Sequence, residues 1–101
     1  MTIRANISSI YANQDLLNSS AHNIANSTTK GFGRIETNIV ESNLNNPEAI
    51  NTKTRNDSEY SNTDLTKEIT NQILSYTAIS ANAVVLRTQN EVNGTLLDIY
   101  A

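Results

Sequence analysis

A chain of 101 residues is one small domain at most, and its apolar content of 38% lies below the roughly 45–50% of ordinary globular proteins, which excludes a large closed core. Charged residues make up only 17% and the formal net charge is −3; without a cluster of Lys or Arg the chain lacks the basic footprint that phosphate backbones require, so nucleic acid is not an expected partner. The absence of cysteine rules out disulfides and thiolate metal sites.

No stretch approaches the roughly 20 apolar residues of a membrane span. The N-terminus has neither the basic n-region nor the continuous apolar h-region of a cleavable secretory signal, so any export is expected to use another route.

The first organised segment covers about residues 3–28. Steps of four and three residues connect Ile3, Ile7, Ile10, Gln14, Leu17, Ala21 and Ile24, an apolar seam with one polar member at the period of a coiled coil. No Pro or Gly interrupts it, and Gly31 follows where a helix commonly ends.

Gly31-Phe32-Gly33 then forms a turn around the single Phe. Ile35, Thr37 and Ile39 alternate with Glu36 and Asn38, which reads as one short strand. Residues 41–60 are rich in Asn with one Pro and few apolar side chains, the composition of a loop or linker.

The second helix opens at Ser61-Asn62-Thr63-Asp64, where small polar side chains can cap free N–H groups and Asp64 and Glu68 suit the positive end of the helix dipole. The same stepping connects Leu65, Ile69, Gln72, Tyr76, Ile79, Ala83, Leu86, Asn90, Asn93, Leu97 and Tyr100. Helices over about 3–28 and 64–99 would be roughly 39 and 54 Å long, which suits a rod better than a globule.

A second apolar stripe on this helix, Ala78, Val85, Val92 and Ile99, recurs every seven residues and is flanked by Leu74, Ala81 and Val84. One partner helix cannot cover both stripes, and an exposed apolar stripe of this kind marks an interaction surface. The expected fold is therefore all-α: an N-terminal helix within 1–30 and a C-terminal helix within 61–101, paired as a coiled-coil hairpin and joined by the turn, strand and polar linker of 31–60.

Two stretches carry a family resemblance. Ala21-His22-Asn23-Ile24-Ala25-Asn26-Ser27-Thr28-Thr29-Lys30-Gly31-Phe32 resembles the signature near the N-terminus of bacterial flagellar rod and hook proteins. Ser61-Asn62-Thr63-Asp64-Leu65, with Glu68 and Ala81-Asn82, is similar to the start and middle of that family's C-terminal helix. The family usually carries Asn at the position of His22, and its larger members insert whole domains where this chain has residues 31–60, so the resemblance is to a short, rod-like member.

The resemblance implies a non-enzymatic structural subunit of the basal-body rod, polymerising through its terminal helices into a hollow axial structure that spans the periplasm. It implies copies of the same chain and other rod or hook proteins as partners, and passage through the flagellar type III export apparatus. A soluble coiled-coil chaperone or regulator of such proteins is the alternative. The expected interface residues are Ile3, Ile7, Ile10, Leu17, Ile24, Asn26, Gly31, Phe32, Leu65, Ile69, Tyr76, Ile79, Val85, Leu86, Val92, Leu97 and Ile99.

No reacting or metal-binding constellation accompanies them. His22 is the single histidine and lacks convergent ligands; Asp15 and Glu68 read as solvated or capping acids rather than an acid/base pair; no nucleophile elbow or phosphate loop surrounds the serines. No cofactor is expected. Gln14, Gln72, Asn90 and Asn93 interrupt the seams and are candidates for setting register. Asn26-Ser27-Thr28 and Asn93-Gly94-Thr95 match a glycosylation acceptor pattern, the second with Glu91 before it, although a place inside a packed helix argues against modification. The two long helices bury little area by themselves, so folding is expected to accompany assembly.

Overall fold

The computed structural model describes residues 3–42 and 46–100, with side chains described as far as residue 96. Helix α1 spans Ile3–Ala25, helix α2 spans Leu65–Tyr100, and the strands β1, Ile35–Glu41, and β2, Pro47–Lys53, lie between them.

The helix ends follow from local chemistry. Helix α1 closes through a tightening turn, in which the Asn26 N–H reaches the His22 and Asn23 carbonyls at 3.1 and 3.2 Å and the Ser27 N–H reaches Ile24 at 3.1 Å. Asp64 caps α2, its side-chain oxygen accepting from the Lys67 N–H at 3.3 Å and its carbonyl from the Glu68 N–H at 2.9 Å; a short acceptor at this position satisfies donors that the first helical turn leaves free.

Gly31 sits at φ 69°, a left-handed conformation open to glycine at little cost, and its N–H donates to the Glu59 carbonyl at 2.9 Å. Gly33 is needed for a different reason: a Cβ there would overlap the Thr54 carbonyl. The backbones of 31–34 and 54–62 are thereby drawn together, with the Thr54 N–H on the Arg34 carbonyl at 2.9 Å and the Asn62 N–H on Phe32 at 3.2 Å.

This closure makes a sheet, and it corrects the all-α expectation: the molecule is α+β. Strand β1 pairs antiparallel with β2, from Ile35 opposite Lys53 to Glu41 opposite Pro47. The second strand lies inside the segment read as linker, because Pro47-Glu48-Ala49-Ile50-Asn51-Thr52-Lys53 has little intrinsic strand character and takes strand form through its partner. A two-stranded ribbon is marginal alone; here α1 backs it. Thr37 is buried on that face, and the Asn51 side-chain oxygen accepts from Thr37 at 2.6 Å and from Ser19 of α1 at 3.3 Å.

The two helices form a hairpin that makes the molecule elongated, 66 Å in its longest dimension and 26 and 14 Å in the others. Helix α2, at 36 residues, outruns the 23 residues of α1. Ile3, at the start of α1, lies beside Thr88, Gln89, Val92 and Asn93 in a shallow groove, and every residue from 91 to 96 is exposed.

Candidate functional site

The interior of the hairpin is polar. Among the described residues the buried hydrophobic side chains are Ala5 and Ala12, whereas Asn6, Ser9, Asn13, Ser19, Ser20 and Asn23 of α1 and Glu68 and Ser75 of α2 are buried. Asn6, Asn13 and Ser20 recur every seven residues, as do Glu68, Ser75, Asn82 and Gln89. These rows face each other. The Asn82 amide donates to Ser9 Oγ at 3.0 Å, Asn6 reaches Gln89 at 3.5 Å, and Ser20 Oγ donates to the Glu68 carbonyl at 2.7 Å. Among the described residues every buried side-chain polar atom has a partner, which is the condition for such an interior to be tolerated.

At the closed end, side chains from both helices and β1 lock together. The Asn23 carboxamide donates to the Ile35 carbonyl at 2.8 Å and accepts from the Ile35 N–H at 2.8 Å, taking the place of a neighbouring strand. The same amide group donates to Glu68 Oε1 at 3.1 Å, and Arg34 Nε meets Glu68 Oε2 at 2.9 Å. Arg34 also pairs with Glu36, which Lys67 Nζ approaches at 3.2 Å. Burial pulls the Arg34 guanidinium downward, but its hydrogen bonds to Glu68 and Glu36 and their charges outweigh that and hold it above its ordinary value. Burial pushes the Glu36 carboxyl up, and Arg34 and Lys67 together bring it below the usual carboxylate range. Glu68 is thus neither a solvated acid nor a cap, as its place in the first turn suggests, but a fully buried carboxylate.

The expected interface residues lie mostly outside this interior. Ile3 and Ile7 of α1 are exposed, as are Leu65, Ile69, Tyr76, Val85 and Val92 of α2, with Ile69 at 51% and Val92 at 52%. Ile10, Leu17, Ile24, Ile79 and Leu86 are half-buried at its margins. At 3.6 residues per turn, Leu65, Ile69 and Tyr76 fall on one side of the Glu68, Ser75 and Asn82 row, and Leu74, Val85 and Val92 on the other. Ala78 is half-buried, and Ala81 and Val84 are exposed. The side chains of Leu97 and Ile99 lie outside the described residues. The exposed members of the apolar seams therefore flank the polar interior of the hairpin rather than filling it.

Of the remaining candidates, Phe32 is half-buried with its ring edge-on to His22, centroids 5.5 Å apart. Asn26 ties the end of α1 by donating to the His22 carbonyl at 2.9 Å and accepting from Thr29 at 3.0 Å. Gly31 sets the turn. Gln14, Asn90 and Asn93 are exposed and Gln72 half-buried, while within the chain Asn6, Ser9, Asn82 and Gln89 carry polar contacts between the helices. The seven-residue recurrence of Asn6, Asn13 and Ser20, and of Glu68, Ser75, Asn82 and Gln89, was the available signal.

No group of His, Cys, Asp or Glu able to hold a metal ion occurs among the described residues, and no described helix is long and apolar enough to cross a membrane. The described hairpin combines a polar interior with exposed apolar side chains along two flanks. Neither a protein-family model nor a curated protein sequence matches this chain.

Proposed function

We propose that the protein is a structural subunit of the bacterial flagellar basal-body rod or its junction, assembling through the flanks of its terminal helices with copies of itself and with related axial proteins after type III export. The observation that carries this reading is the inversion of the hairpin: amides, hydroxyls and a carboxylate fill its interior while Ile7, Ile69, Tyr76, Val85 and Val92 remain exposed. Each half-exposed Ile or Val stands to gain roughly 1 kcal/mol from burial against a neighbour, and apolar side chains on two flanks suit a subunit surrounded by others. The resemblance of residues 21–32 and 61–65 to rod and hook proteins supplies the class of assembly.

The test is deletion of the gene followed by imaging of isolated basal bodies. A shortened or missing rod is expected. An intact, full-length rod, with the protein retained in the cytosol in a one-to-one complex, would instead make it a soluble regulator of axial proteins.

A further inference from the structure

We infer that the Asn93–Gly94 bond in the exposed C-terminal part of α2 is a site of spontaneous chemical modification, at which the chain converts Asn93 to isoaspartate or aspartate without an enzyme. Three observations meet there. The first is the pair itself: glycine is the residue that least obstructs attack by its own backbone nitrogen on the preceding side-chain amide, and a Cβ at Gly94 would meet nothing within 4 Å. The second is position: Asn93 lines only a shallow groove beside Ile3 of α1, and residues 91–96 are exposed throughout. The third is local weakness. A glycine inside a helix favours opening, and among the described residues none outside this stretch of helix comes within 4 Å of a Cβ at Gly94 to oppose it.

The helical conformation holds the Gly94 nitrogen away from the Asn93 carboxamide, so reaction proceeds from the opened turn. The Gly94 nitrogen, having lost its proton to solvent, attacks the Asn93 Cγ. The Cγ–Nδ2 bond breaks and ammonia departs with a proton from solvent. Water then opens the resulting five-membered imide at either carbonyl. The net change is addition of one water and loss of one ammonia, with no oxidation or reduction.

The contrast within the chain is Asn26, which is also followed by a small residue. Its amide donates to His22 and its oxygen accepts from Thr29, so its side chain is held away from the following backbone nitrogen. Asn23 and Asn13 are buried in the seam. The product carries a new negative charge and, as isoaspartate, one extra backbone methylene, which interrupts the helical hydrogen-bond ladder between exposed Val92 and Leu96. On the reading that the flanks of α2 dock on neighbours, an aged chain is a poorer subunit, although the conversion itself requires no partner.

The experiment is incubation of the full chain at neutral and at mildly alkaline pH, followed by peptide mass spectrometry of the segment after Arg87. Asn93 is expected to gain about 1 Da ahead of every other asparagine, faster at the higher pH. Gly94→Ala is expected to slow the conversion at least about fivefold, through firmer helix and obstructed attack. Conversion at Asn93 no faster than at Asn26 or Asn90, or a rate unchanged by Gly94→Ala, would overturn the inference.

Discussion

Asn23 and Glu68, 45 positions apart in sequence, meet side chain to side chain at 3.1 Å with both residues at 0% exposure. Around that contact the end of α1, the start of β1 and the first turn of α2 are held in one arrangement. Arg34 completes it, so the carboxylate is compensated by a buried cation as well as by an amide.

Removing one member should leave another stranded. Glu68→Ala leaves the Arg34 guanidinium buried with Glu36 as its remaining carboxylate, and a broken buried pair costs roughly 3–5 kcal/mol. Asn23→Ala leaves the Ile35 N–H and carbonyl and one Glu68 oxygen short of a partner, at about 1–3 kcal/mol. Thermal unfolding followed by helical circular dichroism should rank Glu68→Ala below Asn23→Ala, and both below the parent chain. Equal midpoints would mean that the cluster does not hold the hairpin.

Acid should loosen the same end. The Glu36 carboxyl is held below its ordinary value of 4.5, so the folded state favours the charged form. That contribution is fully present above the ordinary value and fades as the pH falls through the depressed folded one. Arg34 is raised further from an already high value and stays charged throughout, adding no slope in acid. Glu36→Gln should therefore lower stability at neutral pH and flatten its decline below about pH 4.5; an unchanged acid limb in the variant would contradict the assignment.

The three glycines separate three effects. Gly33→Ala forces a Cβ into the Thr54 carbonyl and should cost more than about 2 kcal/mol by prising the β-ribbon from its base. Gly31→Ala meets space but an unfavourable φ, at about 1 kcal/mol or slightly more. Gly94→Ala, inside α2, should stabilise the chain by up to about 1 kcal/mol and raise its midpoint. Any other order in a denaturation series would point to a different geometry at the turn.

Charge on the flanks should divide folding from assembly. Val85→Asp and Val92→Asp alter exposed side chains and should change the stability of the isolated chain by no more than about 0.5 kcal/mol. On the proposed rod reading they should nonetheless prevent co-purification with basal bodies, because a charge in an apolar contact is desolvated without a partner. Normal incorporation of both variants would remove those flanks from the interface.

The heptad spacing, the Asp64 cap and the uninterrupted apolar steps specified two long helices from local information alone, since period and capping act over a few residues. Residues 35–39 announced a strand by alternation. What the tertiary structure decided was which row of each helix faces inward. Apolar and polar residues both recur every seven positions here, and period alone ranks them by hydrophobicity, which favoured Ile3, Ile7 and Ile69 over Asn6, Ser9 and Ser75. The choice fell to the polar rows because their amides and hydroxyls find complementary groups across the seam only when both helices and β1 are in place. For the same reason β2 was invisible in its Asn- and Pro-rich segment: its ladder partners on β1 and its contact with Ser19 of α1 are non-local, and no property of residues 47–53 taken alone encodes them.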